Sequence, residues 1–191
     1  MLNMDNFIED IIKAKNKYLV EIKRKHVFRG IVIDYSINLI LLACVDDDFH
    51  LNGYILLKTE GITAYRIYNK PEYFLFKVQQ ELDLRPEYPF KLDLSDMKSA
   101  CNTIHNFYPL ITVYKEKSDA AVYIGIITKI TEHTFSFYEI DSNAEWDKEH
   151  TFYFKKVPII TWGGGYENAL WQVGRKHLPG ECEKAVSDLL S

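Results

Sequence analysis

Hydrophobic positions near the amino terminus recur at helical spacing: Phe7, Ile8, Ile11, Ile12 and Ala14, with Asp5, Glu9 and Asp10 early and Lys13 and Lys15 late. That charge order complements a helix dipole, so the pattern predicts a helix over 5–16. From Tyr18 the period changes to two. YLVEIKRK (18–25) reads as a first strand, 26–35 and 38–45 as a hairpin turning at Ser36-Ile37, GYILLK (53–58) as a fourth strand and ITAYRIY (62–68) as a fifth. PEYFLFKVQQEL (71–82) predicts a second helix with Pro71 in its first turn.

Residues 83–94, DLRPEYPFKLDL, carry Pro86 and Pro89 and break the pattern, which marks a linker. The series then restarts with a helix over 95–106 capped by Ser95, a strand over 110–114, a hairpin from 121–131 and 133–141, and, after a longer loop, the strand HTFYFKK (150–156). GIVIDYSINLILLACVD at Gly30–Asp46 has a second version, GIITKITEHTFSFYEID, at Gly125–Asp141, an offset of 95 (125 minus 30). Leu19 to Lys23 match Leu110 to Tyr114 at 91. HTFYFKK aligns with LNGYILLK at 97, which places Ile55 on Phe152, Leu57 on Phe154 and Ile62 on Ile159. Glu72, Leu75, Phe76 and Val78 fall on Glu167, Leu170, Trp171 and Val173, again at 95. Offsets that change only at loops indicate a tandem duplication, with a first unit over 1–90 and a second, ending in a helix, over 91–191.

The expected class is therefore α+β, mainly β: two duplicated five-stranded small barrels, each with flanking helices. A helix followed by five short strands is the layout of the Sm-like and SH3-like barrels, and each copy resembles it. For the Sm family the resemblance implies an RNA site built from an Asp and an Asn in the turn after the second-strand Gly, and from an Arg-Gly pair near the end of the fourth strand. Here that turn is Tyr35-Ser36-Ile37-Asn38, without the Asp, and Arg66 is followed by Ile67.

Composition narrows the function classes. A net charge of -4 and a pI near 5.9 argue against a dedicated nucleic-acid binder. Cys44, Cys101 and Cys182 form an odd, scattered set, which argues against a disulfide framework and for a reducing cytoplasm. No apolar run reaches the ~18 residues of a membrane span, and the acidic amino terminus is unlike a secretory signal, so a soluble cytoplasmic protein is expected.

Catalytic signals are sparse. Gly163-Gly164-Gly165 lies between a strand and a helix, where amides can cradle phosphate, but no Lys-Ser or Lys-Thr follows, and a tight turn is the better explanation. Cys101 and His105 are spaced as two ligands on one helix face, without a second pair; a buried Cys beside a partly exposed His accounts for them. Cys44 in LILLACV belongs to a core, and His50, His133 and His150 fall at loops or strand ends. No nucleophile elbow or Cys/His signature is present. A non-enzyme without metal or cofactor is the expectation.

Two charged groups remain. Asp46, Asp47 and Asp48 in the first copy, and Asp141, Glu145, Asp147 and Glu149 around Trp146 in the second, occupy equivalent loops. An exposed Trp ringed by carboxylates is a candidate anchor with electrostatic steering toward a basic protein. The leading expectation is thus a protein-binding module, similar in format to the immunity proteins that neutralise bacterial toxins, with a basic nuclease-type toxin domain as partner. The alternative is an Sm-like RNA-binding protein acting through Lys17, Tyr18, Lys23, Arg24, Lys25 and Arg29. The third reading is an enzyme with a site between the lobes.

Overall fold

The structure, a computed structural model, describes residues 2–88, 90–115 and 122–187. The chain divides into two compact units, 1–91 and 92–191. In the first, α1 (Met4–Ala14) precedes β1 (Leu19–Lys23), β2 (Val27–Tyr35), β3 (Leu39–Val45), β4 (Leu51–Lys58) and β5 (Ala64–Ile67), and α2 (Phe74–Glu81) follows. In the second, α3 (Met97–His105) precedes β6 (Ile111–Tyr114), β7 (Val122–Ile130), β8 (Thr134–Ile140), β9 (Trp146–Tyr153) and β10 (Ile159–Trp162), and α4 (Gly165–Gly174) and α5 (Gly180–Ala185) follow. The class is α+β, mainly β. The expected strand starting at Ala121 begins at Val122; 121 itself lies outside the described residues.

Each unit holds an antiparallel sheet in the order fifth, first, second, third, fourth: β5-β1-β2-β3-β4 and β10-β6-β7-β8-β9. Among the described residues the fourth strand of a unit does not pair with its fifth, so each sheet is open where a closed ring was expected.

The register repeats residue for residue. Val20 pairs with Gly30 and Ile111 with Gly125. Bulges fall between Val32 and Asp34 and between Ile127 and Lys129, then between Ala43 and Val45 and between Tyr138 and Ile140. Both glycines mark close crossings. A Cβ on Gly30 would sit 2.2 Å from the Ala43 carbonyl oxygen, and one on Gly125 would sit 2.0 Å from that of Tyr138. A side chain there would force the second and third strands apart.

Register also corrects the fourth-strand alignment. Ile40 pairs with Leu57 and Phe135 with Phe152, while Leu42 pairs with Ile55 and Phe137 with His150. Leu57 therefore corresponds to Phe152, Ile55 to His150, Thr59 to Phe154 and Ala64 to Ile159. The offset stays at 95, and the loop after the third strand has one length in both units. The offset of 97 arose from matching apolar letters across a position where the second unit carries a histidine.

Local chemistry explains the helix ends. Asn3 caps α1, its side chain accepting from the N–H groups of Asp5 and Asn6. Asp96, not Ser95, caps α3 by accepting from the Ser99 N–H. Pro71 precedes α2 in a turn, and Tyr73 is the cap residue.

The cores follow from strand alternation. Leu19, Ile31, Val45 and Leu75 cluster on one face of the first sheet, and the corresponding Leu110, Ile126, Ile140 and Leu170 cluster in the second, where Cys182 and Val186 join them. In the first unit α1 covers the other face, with Phe7, Ile11 and Ala14 buried and the Phe7 ring edge-on to Tyr65 at 4.8 Å.

Candidate functional site

The acidic loops are two versions of one turn. Asp46 Oδ1 accepts from the backbone N–H of Asp48 at 3.1 Å and of His50 at 2.8 Å; Asp141 Oδ1 accepts from Asn143 at 2.8 Å and Glu145 at 2.9 Å. The residue before the last bond takes positive φ in both, 62° at Phe49 and 62° at Ala144. Asp46 and Asp141 thus shape the turn, as Asx residues do. The Glu145 amide, with Asn143, holds the Asp141 carboxyl below the usual aspartate value.

The remaining carboxylates differ in what they face. Asp47 and Asp48 are exposed, and Asp47 lies 3.7 Å from an Arg29 nitrogen. Glu145 is exposed, Asp147 pairs with Lys148 at 3.4 Å, and Glu149 accepts from the Thr128 hydroxyl at 2.9 Å.

Trp146 is not the exposed anchor that its acidic surroundings suggested. It opens β9, corresponds to Leu51, packs against the core under α4, and its indole N–H donates to the Gly174 carbonyl at 3.0 Å. An exposed aromatic packed against an acidic turn lies in the first unit. Phe74, 67% exposed at the start of α2, stands edge-on to Phe49, ring centroids 6.0 Å apart, inside the Asp46–His50 turn. Phe49 at its centre was the available signal: an aromatic at a left-handed position in a polar turn is held there by packing.

The basic group is dispersed into local structure. Arg24 donates to the carbonyls of Lys58 and Glu60. Arg29 pairs with Glu21 through Nε at 3.2 Å and Nη2 at 3.1 Å. Lys13 lies near Glu9 and Asp10, and Lys15 pairs with Asp34 at 2.6 Å and lies over the Tyr35 ring. Lys17, Lys23 and Lys25 are exposed, and Tyr18 is half-buried near Phe76. Three of these cations, Lys13, Lys15 and Arg29, thus face carboxylates, which lowers the charge available to a phosphate backbone.

The remaining sequence candidates take structural places. Gly163 has φ 71° and its α-carbon faces the Tyr108 ring, while Gly164 caps α4. The first turn of α4 already holds the carboxylate of Glu167, which opposes a phosphate there. Cys101 is fully buried and its thiol is pushed up by burial; burial lowers the nearby His105. Among the described residues no group of three or more His, Cys, Asp or Glu side chains could hold a metal. His150 contacts Glu139 at 2.6 Å beside the Tyr123 ring, but among the described residues no hydroxyl or thiol bonds its imidazole.

A further cavity of about 500 Å³ in the second unit has Thr112, Tyr114, Ile124, Thr161, Tyr166 and Glu167 in its wall. Glu167 Oε1 accepts from the Thr112 hydroxyl at 2.6 Å and the Thr161 hydroxyl at 3.3 Å, and the residue is 9% exposed. The alignment of Glu167 with Glu72 was visible in the sequence, whereas its burial was not: Glu72 is exposed.

Among the described residues no helix is long and apolar enough to cross a membrane. Comparison with protein-family models, with curated proteins and with solved structures gave no match to the chain.

Proposed function

We propose that the chain is a non-catalytic protein-binding module, built from two duplicated units of the Sm/SH3-like barrel type, and that it serves as an immunity protein neutralising a basic, nuclease-type toxin domain in the cytoplasm. The observation that carries the reading is the juxtaposition of exposed Phe74 with the Asp46–His50 turn: an aromatic anchor next to the exposed carboxylates of Asp47, which lies near Arg29, and Asp48. A few central anchor residues, often aromatic, carry most of the energy of an interface, while rim charges act on the rate of encounter with a basic surface. The common strand order, the paired bulges and the shared glycine crossings support the duplication.

The test is co-expression with cationic nuclease toxin domains encoded in the same genome, together with binding kinetics for the domain whose toxicity is relieved. Phe74→Ala should speed dissociation about tenfold or more. Asp47→Lys with Asp48→Lys should slow association about tenfold at low salt and flatten its salt dependence. Protection that survives all three substitutions unchanged removes the turn as the binding surface, and a chain that protects against none of these domains removes the immunity role.

A further inference from the structure

We infer that the cavity beneath α4 is a binding site for a cationic organic group, a guanidinium or a primary ammonium. Three observations lead there. The first is the buried carboxylate. Glu167 spends Oε1 on two threonine hydroxyls, while Oε2 accepts no hydrogen bond from the described residues. Glu167 is 9% exposed and lines the cavity, its second oxygen is not closed off from solvent, and the cavity is large enough to admit a cation beside that oxygen.

The second is what the first unit places at the same positions. Ile124 corresponds to Arg29, Thr112 to Glu21 and Ser142 to Asp47. In the first unit Arg29 is bonded to Glu21 and lies near Asp47, so a guanidinium is held between two carboxylates by the chain itself. Arg66, cross-strand from Glu21, corresponds to Thr161, cross-strand from Thr112. The second unit has therefore exchanged both arginines for uncharged side chains while moving a carboxylate, Glu167, into the space. Tyr68, whose hydroxyl donates to Glu21 at 2.6 Å, has Gly163 as its counterpart, which brings no side chain. The third is the wall: Tyr114 and Tyr166 offer aromatic surface to a cation. Glu139 and Asp141 also border the cavity, but the former contacts His150 and the latter holds its turn, which leaves Glu167 to receive the charge.

The group can arrive on a free amine or on the arginine side chain of a protein. The full chain, isotope-labelled, is titrated with N-acetyl-L-arginine amide, with its neutral isostere N-acetyl-L-citrulline amide, and with a blocked hexapeptide carrying one arginine, while the backbone amides of Thr112, Ile124 and Thr161 are followed by NMR. The arginine amide should give saturable shifts at these three positions and the citrulline amide none. Glu167→Gln should weaken binding about tenfold or more, as expected for loss of a charge-assisted hydrogen bond. Ile124→Arg, which supplies the cation internally and leaves Glu167 in place, should abolish the shifts and raise the melting temperature, and it carries the test if Glu167→Gln fails to fold. A hexapeptide at least about tenfold tighter than the amide assigns the site to a protein partner, and equal affinity assigns it to a small free cation; both support the site. No shifts with the arginine amide, equal shifts with citrulline, or binding that survives Ile124→Arg would overturn it. Asp47→Lys lies in the other unit and should leave the arginine-amide shifts intact, so failure here and failure of the toxin-binding surface can be told apart.

Discussion

The two units spend their side chains differently on the same backbone. Away from the α2 and α4 clusters, the first unit packs Ile40, Leu42 and Leu57 where the second packs Phe135, Phe137 and Phe152, three rings in stacked and edge-on contact at 5.4 to 6.3 Å. What stays constant is what the backbone demands. Gly30 and Gly125 permit close strand crossings, Ser36 and Thr131 accept N–H bonds in the hairpin turn, and Asp46 and Asp141 cap the next one. Interior volume can be refilled in several ways, whereas a carbonyl 2 Å from a missing Cβ leaves a single choice.

The largest effects should come from emptying the two interiors. Phe137→Ala is expected to cost about 4 kcal/mol and Leu42→Ala about 3 kcal/mol in urea unfolding, the ring leaving the larger void. Equal costs would show that the aromatic cluster collapses as readily as the aliphatic one. Next, Gly30→Ala and Gly125→Ala should each cost about 3 kcal/mol, because the obstacle is a carbonyl oxygen and not a flexible side chain. A large difference between the two glycines would break the equivalence of the crossings.

The smallest effect concerns the turn aspartates. Asp46→Ala and Asp141→Ala should each lower the melting temperature by less than the glycine changes. For Asp141 the sign of the pH dependence follows from its lowered folded-state value. The stabilisation is complete above the ordinary value of 3.8 and is lost as pH falls through the lowered one. Asp141→Asn keeps an acceptor oxygen and should remove this acid dependence; a melting-temperature profile unchanged from wild type between pH 5 and pH 2 would assign the dependence to other carboxylates.

Much of this architecture was legible in the chain because it is carried by residue types with narrow uses. Gly30 and Gly125, followed sixteen residues later by Asp46 and Asp141, announced the repeated hairpin. The fourth strand was misaligned because His150 stands where Ile55 does, and matching by hydropathy slid the copies two places apart. Trp146 was misplaced for the same reason: with the loop taken as longer, a strand residue whose N–H meets Gly174 looked like a solvent-facing loop residue. Burial set the limit for the sites. Glu72 and Glu167 are the same letter at the same position, and only packing separates a hydrated carboxylate from one enclosed with two threonines. Phe74 reads equally well as an inward helix position, and its exposure follows from where α2 begins.

The paired bulges act as a ratchet against misthreading. Ile33 and Thr128 are the unmatched residues between the paired positions of β2 and β7, and a second irregularity follows at the far end of each hairpin. A one-residue slip of β3 or β8 would move Leu42 or Phe137 to the opposite face of its sheet and also leave both irregularities without their opposite numbers. Because both irregularities recur at the same positions, each hairpin carries its own double notch that fixes its frame.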